Sequence, residues 1–190
     1  MEDNLKKAEI IKKFRTIGIA ELEQEIRERG KYKVFSEFAE IMDKRSYFTV
    51  NVEGEICRKK VNPILLEFPY EENAKTLAKM ILDYGAPEER QRIHPIARLS
   101  NVEIPVLKQK LMTTLVHQNF EHGKRYAKEL FLREEETFWK LLHSFVELGE
   151  KESQKREVLR AFQVCMQVVK YDERLFHLYL SFLTRYRDNY

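Results

Sequence analysis

The sequence predicts a mainly α-helical fold in which consecutive antiparallel helix pairs stack as a short helical-repeat array. Apolar residues recur every three or four positions along most of the chain, which is the period of an amphipathic helix. Only 6 Gly and 5 Pro occur among 190 residues, so long regular elements should dominate. We expect one domain over residues 1–190, with N-terminal helices in 1–45, repeat-like helix pairs in 46–150 and a C-terminal helical hairpin or cap in 151–190.

Two or three helices are predicted within the first 45 residues. Gly18 and Gly30 separate three segments, each with one apolar stripe at helical spacing. The stripes consist of Ile10, Ile11, Phe14 and Ile17, then Ile19, Leu22 and Ile26, then Val34, Phe35, Phe38, Ile41 and Met42.

Residues 46–61 have a different pattern. Phe48, Val50 and Val52 alternate with polar residues, Glu53-Gly54 has the composition of a turn, and Ile56 follows. This pattern predicts a small two-stranded hairpin or finger, and an irregular loop is the alternative.

Two short helices are predicted between residues 62 and 85. Pro63 suits the first position of a helix, where its missing N–H has no bond to lose, and Pro69 ends that helix. The face of the second helix is formed by Leu77, Met80, Ile81 and Tyr84. Gly85 then stands where a left-handed C-cap belongs.

A similar pattern recurs further along the chain. His94-Pro95-Ile96 repeats Asn62-Pro63-Ile64 at an offset of 32 residues, and Gly149 lies at twice that offset from Gly85. Periods of this length are typical of stacked repeats. Pro105 is predicted to begin another helix with Leu107, Leu111, Met112 and Leu115 on one side.

The rest of the chain is predicted to be helical from Lys124 to its end. Glu134 to Glu136 fit the first turn of the helix that carries Trp139, where the helix dipole favours carboxylates. Asp172 is the expected N-cap of the last helix, whose apolar face suits either a capping helix or a dimer contact. The oligomeric state is left open.

Residues 50–120 resemble an ankyrin-repeat protein. The resemblance rests on the finger at 50–54, on Asn-Pro-Ile-Leu at 62–65 as the start of a first helix, and on Ile-Leu-Asp-Tyr-Gly-Ala at 81–86 as the end of a second. The unit beginning at His94 is similar to a second copy. This resemblance implies a protein-binding surface without catalysis.

Composition narrows the class of protein. With 43% hydrophobic and 34% charged residues the chain is not of a disordered type, and a net charge of +3 is too small to indicate nucleic-acid binding. The acidic N-terminus lacks the apolar core of a signal peptide, and no segment is long and apolar enough for membrane insertion. Cys57 and Cys165 match no metal spacing, which favours free thiols in a reducing cytoplasm.

Neither an enzyme nor a cofactor or metal site is predicted. His117 and His122 are five residues apart with Glu121 between them, whereas zinc ligands on one helix face need a spacing of four. They are interpreted as surface or cap histidines. A third hypothesis is an enzyme with an unfamiliar site built from His117, Glu121 and His122. Cys165 lies on an apolar stripe and is expected to be a buried structural thiol, whereas Cys57 is expected to be exposed.

Positive charge is concentrated between residues 90 and 128, which contain eight Lys and Arg but only two Glu. A basic segment of this kind favours docking on an acidic protein face or on nucleic-acid phosphates. The leading hypothesis is therefore a non-catalytic protein–protein interaction module, acting as inhibitor or scaffold, and the alternative is a nucleic-acid-binding protein. The predicted binding surface comprises Arg58, Lys59, Lys60, Tyr84, Arg90, Arg92, Arg98, Lys108, Lys110, Lys124 and Arg125.

Overall fold

A computed structural model describes residues 2–42, 48–50, 52–58, 61–149 and 153–186. Within these ranges the chain is mainly helical, as predicted, and neighbouring helices stack in pairs. The helices are α1 Glu2–Thr16, α2 Ile19–Arg29, α3 Lys31–Met42, α4 Pro63–Glu67, α5 Ala74–Tyr84, α6 Ile104–Val116, α7 Phe120–Arg133, α8 Glu135–Glu147, α9 Lys155–Val169 and α10 Glu173–Arg185.

Short elements connect some of these helices. Strands β1, Phe48–Val50, and β2, Ile56–Arg58, pair antiparallel with Thr49 opposite Cys57. A 3-10 helix, Pro87–Glu89, follows α5. Within the described ranges no helix is both long enough and apolar enough to cross a bilayer.

Most predicted helix boundaries are confirmed by the hydrogen bonds at the helix ends. Asn62 caps α4 by accepting a hydrogen bond from the Ile64 N–H, with Pro63 in the first turn. Asp172 caps α10 by accepting from the Arg174 and Leu175 N–H groups. These side chains satisfy N–H groups that would otherwise have no partner in the helix.

The predicted role of Gly85 is wrong. Gly85 ends α5, but its φ of −68° lies in the ordinary region that any residue can adopt. Glycine is required there by a close contact instead, because a Cβ would lie 2.4 Å from two ring atoms of Phe14 in α1. The left-handed cap is found at Gly30, which ends α2 with a φ of 87°.

The repeat of Asn62-Pro63-Ile64 at His94-Pro95-Ile96 does not begin a helix. Residues 90–103 contain no helix or strand, and α6 begins only at Ile104, with Pro105 in its first turn. Pro95 therefore does not repeat the role of Pro63. The physical difference lies in the preceding residue, since Asn62 supplies a capping side chain and no such hydrogen bond is made by His94.

The last helix lies in the interior of the protein. α10 packs against α3, α7 and α9, and every residue from Leu178 to Thr184 is buried, which is more than one apolar stripe. The fully buried Tyr179 stacks on Phe162 of α9 at 5.3 Å and donates a hydrogen bond to the Leu65 carbonyl of α4 at 3.1 Å. The expectation that this helix is an outer cap or a dimer face is therefore wrong.

Candidate functional site

The basic segment of residues 90–128 is divided by the fold into buried and exposed cations. Three of its members are ion-paired inside the protein. Arg90 pairs with Glu40 of α3, Lys124 with Glu121 at 2.6 Å, and Lys128 with Glu173 of α10 at 3.0 Å. The side chains of all three are at most 12% exposed. Arg90 and Lys124, both predicted to bind a partner, are therefore paired with carboxylates and are not free cations at the surface.

Other members of the predicted binding surface remain exposed. Arg92, Arg98, Lys108 and Arg125 are exposed, and none of them forms an ion pair with any described residue. Lys110 is also exposed and lies over the Tyr126 ring at 5.8 Å. Two of these cations, Arg92 and Arg98, belong to the irregular residues 90–103, here called the 90–103 loop. A loop of this length without secondary structure is commonly a binding element.

Two further groups of predicted residues do not belong to an exposed basic surface. Tyr84 is half-buried and packs against the hydrophobic core. Lys59 and Lys60 lie outside the described residues, as does the side chain of Arg58 in β2.

Glu40 fixes the start of the 90–103 loop. Its carboxylate accepts a hydrogen bond from the Arg90 Nε at 2.6 Å and from the Ile93 N–H at 3.2 Å. The Glu40 carbonyl accepts from the Gln91 N–H at 2.8 Å, and Ala86 is bound in the same way to Ile41. The chain leaving α5 is therefore bonded along the end of α3.

A second carboxylate holds the middle of the loop. Glu173, in the first turn of α10, accepts a hydrogen bond from the Ile96 N–H at 2.8 Å. Lys128 of α7 pairs with the same carboxylate and also donates to the Ile96 carbonyl at 2.7 Å. The N–H and the carbonyl of Ile96 are thus both hydrogen-bonded to side chains. The backbone of this loop residue is therefore as fully bonded as that of a residue within a sheet.

A third carboxylate holds the end of the loop. Glu129 of α7 is 1% exposed and accepts from the Ser100 N–H and Oγ, both at 2.6 Å, and from Arg133 at 2.8 Å. Arg133 also donates to the Val102 carbonyl at 2.6 Å. Burial disfavours the ionised form of Glu129, but the hydrogen bonds from Ser100 and Arg133 outweigh it and lower its pKa.

The 90–103 loop is therefore an irregular segment held at three points on α3, α7 and α10. Between these points Arg92, Arg98 and Leu99 are exposed to solvent. Sequence reasoning included both arginines but missed the three carboxylates, because Glu40, Glu129 and Glu173 are distant from one another along the chain. Within the sequence, only the absence of helical periodicity over residues 90–103 indicates the loop.

A second polar cluster lies where α7 begins and α10 ends. It consists of Phe120, Glu121, Lys124, His177 and Arg185, and is called the Phe120 cluster below. Lys124 Nζ lies 5.6 Å and Arg185 Cζ 4.4 Å from the centre of the Phe120 ring, and the His177 ring meets it edge-on at 4.7 Å. Sequence reasoning missed His177 and Arg185, because their helix was interpreted only as an apolar stripe.

Burial, together with the positive charges of the Phe120 cluster, keeps His177 neutral. Its pKa is lowered to about 3, first by burial and then by the positive charges of Lys124 and Arg185, whereas Glu121 acts in the opposite direction. The 90–103 loop also reaches this cluster, because Arg185 donates to the Gln91 side chain at 2.7 Å and His94 lies near His177. A half-buried imidazole beside two cations makes this cluster a candidate functional site.

The remaining candidates for chemistry lie apart from these two features. His117 caps the end of α6 and His122 lies in the first turn of α7, so their interpretation as exposed cap and surface histidines is confirmed. Across the described ranges no three His, Cys, Asp or Glu side chains converge closely enough to hold a metal ion. Cys165 is fully buried, as predicted, and burial raises the pKa of its thiol. The side chain of Cys57 is outside the described part of the structure.

Comparison of the chain with protein-family models, with curated proteins and with solved structures finds no match. The resemblance of residues 50–120 to ankyrin repeats therefore stays a prediction.

Proposed function

We propose that this protein is a non-catalytic binding module, and that the 90–103 loop docks on an acidic face of a partner protein. The observation that supports this proposal best is the combination of a firmly anchored loop with two exposed arginines, Arg92 and Arg98, that pair with no described carboxylate. Binding residues commonly lie on loops that a rigid scaffold positions. Such a module would act as an inhibitor or scaffold, and the proposed setting is the cytoplasm.

The energetic argument concerns conformational entropy. Ordering a flexible side chain or loop on binding costs about 0.5–1.5 kcal/mol for each immobilised side chain. A loop whose backbone is already bonded at Ile93, Ile96 and Ser100 loses less of this freedom than an unanchored loop of equal length. The arginines would supply directional hydrogen bonds to carboxylates and would increase the rate of encounter.

The test begins by identifying the partner through a photo-crosslinking amino acid at position 99, where the exposed Leu99 adjoins Arg98, followed by affinity measurements with the purified partner. Arg92→Glu and Arg98→Glu should each weaken binding by about tenfold or more, since each replaces attraction by repulsion. Arg160→Glu is the matched control, because Arg160 is an exposed arginine of α9 outside the loop. Unchanged affinity in both loop variants would contradict the proposal.

Nucleic-acid binding is the second candidate function. The exposed cations Arg92, Arg98, Lys108, Lys110 and Arg125 favour it, because none of them pairs with a described carboxylate. If phosphates are bound by two or three of these cations, the logarithm of the affinity should fall with the logarithm of salt concentration at a slope of about −2 to −3. A gel-shift titration with duplex and single-stranded oligonucleotides at low salt distinguishes this function from protein docking. No shift under these conditions would exclude it.

A further inference from the structure

The Phe120 cluster contains an arrangement of charge that docking through the 90–103 loop does not use. Glu121 extends its carboxylate between two cations, with one oxygen 2.6 Å from Lys124 Nζ and the other 4.0 Å from an Arg185 nitrogen. Lys124 and Arg185 come from different helices, and both lie against the ring of Phe120. Two like charges are thus held close to one another around a single carboxylate.

The charges in this cluster do not balance. Among the described residues, Glu121 is the one carboxylate that pairs with Lys124 or with Arg185, and His177 beside them is neutral. The side chains of Lys124 and Arg185 are only 8% and 23% exposed, so water screens their excess charge less than it would at the surface. One further negative charge would make the cluster neutral.

Glu121 itself is a weakly held occupant of this position. Its side chain is 69% exposed, and it can rotate into solvent without displacing any core residue. Its movement would uncover Lys124 and the guanidinium of Arg185. Arg185 Nη1 stays bonded to Gln91 and Ser181. The Lys124 ammonium and the Nη2 group of Arg185 are therefore the donors left for the oxygens of a phosphate group.

We propose that the Phe120 cluster is a binding site for a phosphate monoester dianion, and that Glu121 occupies the site until such a ligand displaces it. Lys124 and Arg185 carry two positive charges, and the carboxylate of Glu121 balances only one of them. A dianion bound by both cations, with Glu121 turned to solvent, balances the two. A phosphodiester carries a single negative charge and gains less, which distinguishes this site from a nucleic-acid backbone site. The phosphate of a modified serine and that of a small metabolite share this chemistry.

The experiment is a titration of the full-length protein with inorganic phosphate and with capped phosphoserine, followed by the NMR signals of the His177 ring. Chloride keeps the ionic strength constant, so general screening does not imitate binding. Both ligands should shift the His177 signals in a saturable manner at pH 7.5, where the monoester is a dianion. Tighter binding of capped phosphoserine would indicate a phosphorylated protein as the source, and tighter binding of free phosphate would indicate a small molecule.

Three variants separate a built site from general attraction of anions. Glu121→Gln removes the resident competitor and should increase phosphate affinity by about tenfold, whereas Arg185→Gln should decrease it by a similar factor. Glu136→Gln is the matched control, because Glu136 also pairs with a lysine at 2.6 Å but at a fully solvated position, and its affinity should equal that of the parent protein.

Two results would overturn the proposal. One is the absence of any saturable His177 shift in Glu121→Gln with tens of millimolar phosphate, since the exposed position of Glu121 means that this variant should fold normally. The other is binding of equal strength in Arg185→Gln and the parent protein. Neither result would affect docking through Arg92 and Arg98, so the two functions are tested independently.

Discussion

At the scale of single residues, Glu129 shows how a buried charge can hold an irregular segment. It receives three hydrogen bonds from Ser100 and Arg133 while being almost completely removed from solvent. A hydrogen bond to a charged group contributes about 1.5–3 kcal/mol, and the loss of charge from such a site leaves its partners poorly satisfied. Glu129 should therefore determine both the stability of the protein and the order of the loop.

Glu129→Gln should lower the free energy of unfolding by about 2–4 kcal/mol, because a neutral amide accepts weaker bonds and brings donors of its own. The measurements are urea unfolding at pH 7 and amide hydrogen exchange, in which the Ser100 N–H should exchange faster than in the parent protein. Glu103→Gln, at an exposed carboxylate in the same loop, is the control and should change stability little. Equal stability of both variants would mean that Glu129 does not anchor the loop.

The stability contributed by Glu129 should also depend on pH. Its folded-state pKa lies below the ordinary value of 4.5, so the unfolded chain binds the proton more readily. The contribution is fully present above that ordinary value and is lost as pH falls through the lower, folded-state pKa. Urea unfolding between pH 6 and pH 3 should show a smaller loss of stability for Glu129→Gln than for the parent protein.

His177 predicts a second pH dependence, in a different range. Its pKa falls from 6.5 to about 3 on folding, so between these values the unfolded state binds more protons and acidification destabilises the protein. The slope approaches about 1.4 kcal/mol per pH unit for one such group. His177→Gln should flatten the stability curve between about pH 6.5 and pH 5, where few carboxylates titrate.

Two neighbouring arginines show that the chemistry of a residue does not by itself determine whether its side chain is buried or exposed. Arg90 is buried against Glu40, whereas Arg92, two positions later, is exposed without such a partner. Both are arginines in a polar, irregular stretch, and nothing local distinguishes them. Arg90 is buried because it pairs with Glu40. This pair can form only because the chain between α3 and the 90–103 loop turns back on itself. The charge of the segment could be predicted, but its division into paired and free cations could not.

At the scale of elements, α1 is fixed by one aromatic ring placed against a glycine. The ring of Phe14 contacts Phe38 of α3 edge-on at 6.1 Å, and its tip lies over Gly85 at the end of α5. Any Cβ at position 85 would occupy the space of this ring. α1 can therefore pack against the end of α5 because Gly85 has no side chain.

Gly85→Ala should destabilise the protein by about 1–3 kcal/mol, the usual range for overpacking, although its φ of −68° suits alanine. The matched control is Gly18→Ala, since a Cβ there meets nothing within 4 Å. In a Phe14→Ala background the cost of Gly85→Ala should disappear, and a double-mutant cycle by chemical unfolding measures this coupling. Additive effects would show that Phe14 is not the obstacle.

Elements could be predicted where local chemistry determines them. Asn62-Pro63 and Asp172 mark helix starts through side-chain caps that are visible in sequence, and Gly30 marks a helix end. Pro95 repeats the pattern of Pro63 but begins no helix, because proline permits a helix start without providing the hydrogen bonds that stabilise it. In the folded chain the N–H of the next residue, Ile96, donates to Glu173 of a distant helix, so tertiary contacts override the local repeat.

At the scale of the whole molecule, helices adjacent in sequence account for only part of the packing. α10 contacts α3, α7 and α9, and α4 contacts α9, so the final third of the chain lies against the first. The apolar stripes predicted most of the buried residues, although Ile19 is exposed and Ile10 and Phe14 are only half-buried. They could not give the order in which helices meet, because amphipathic faces of similar width are interchangeable until loops and specific contacts select among them.

The central position of α10 leads to a prediction about truncation. Its buried apolar side chains are Leu175, Phe176, Leu178, Tyr179, Leu180, Phe182 and Leu183. Burying each contributes about 1.5–3 kcal/mol, and together they approach or exceed the roughly 5–15 kcal/mol by which a typical protein is stable. A chain ending at Lys170 should therefore lose its cooperative unfolding transition, as measured by circular dichroism during urea titration.

The control for this truncation is removal of residues 1–18 at the other end of the chain. α1 packs mainly against α3 and contributes partly buried side chains, including Ile10 and Phe14, to the rim of the core. This variant should unfold at a lower urea concentration but in a single transition, since the contacts among α3, α7, α9 and α10 stay complete. If the chain ending at Lys170 also unfolded cooperatively, α10 would be a removable cap, and the interior position that we assign to it would be untenable.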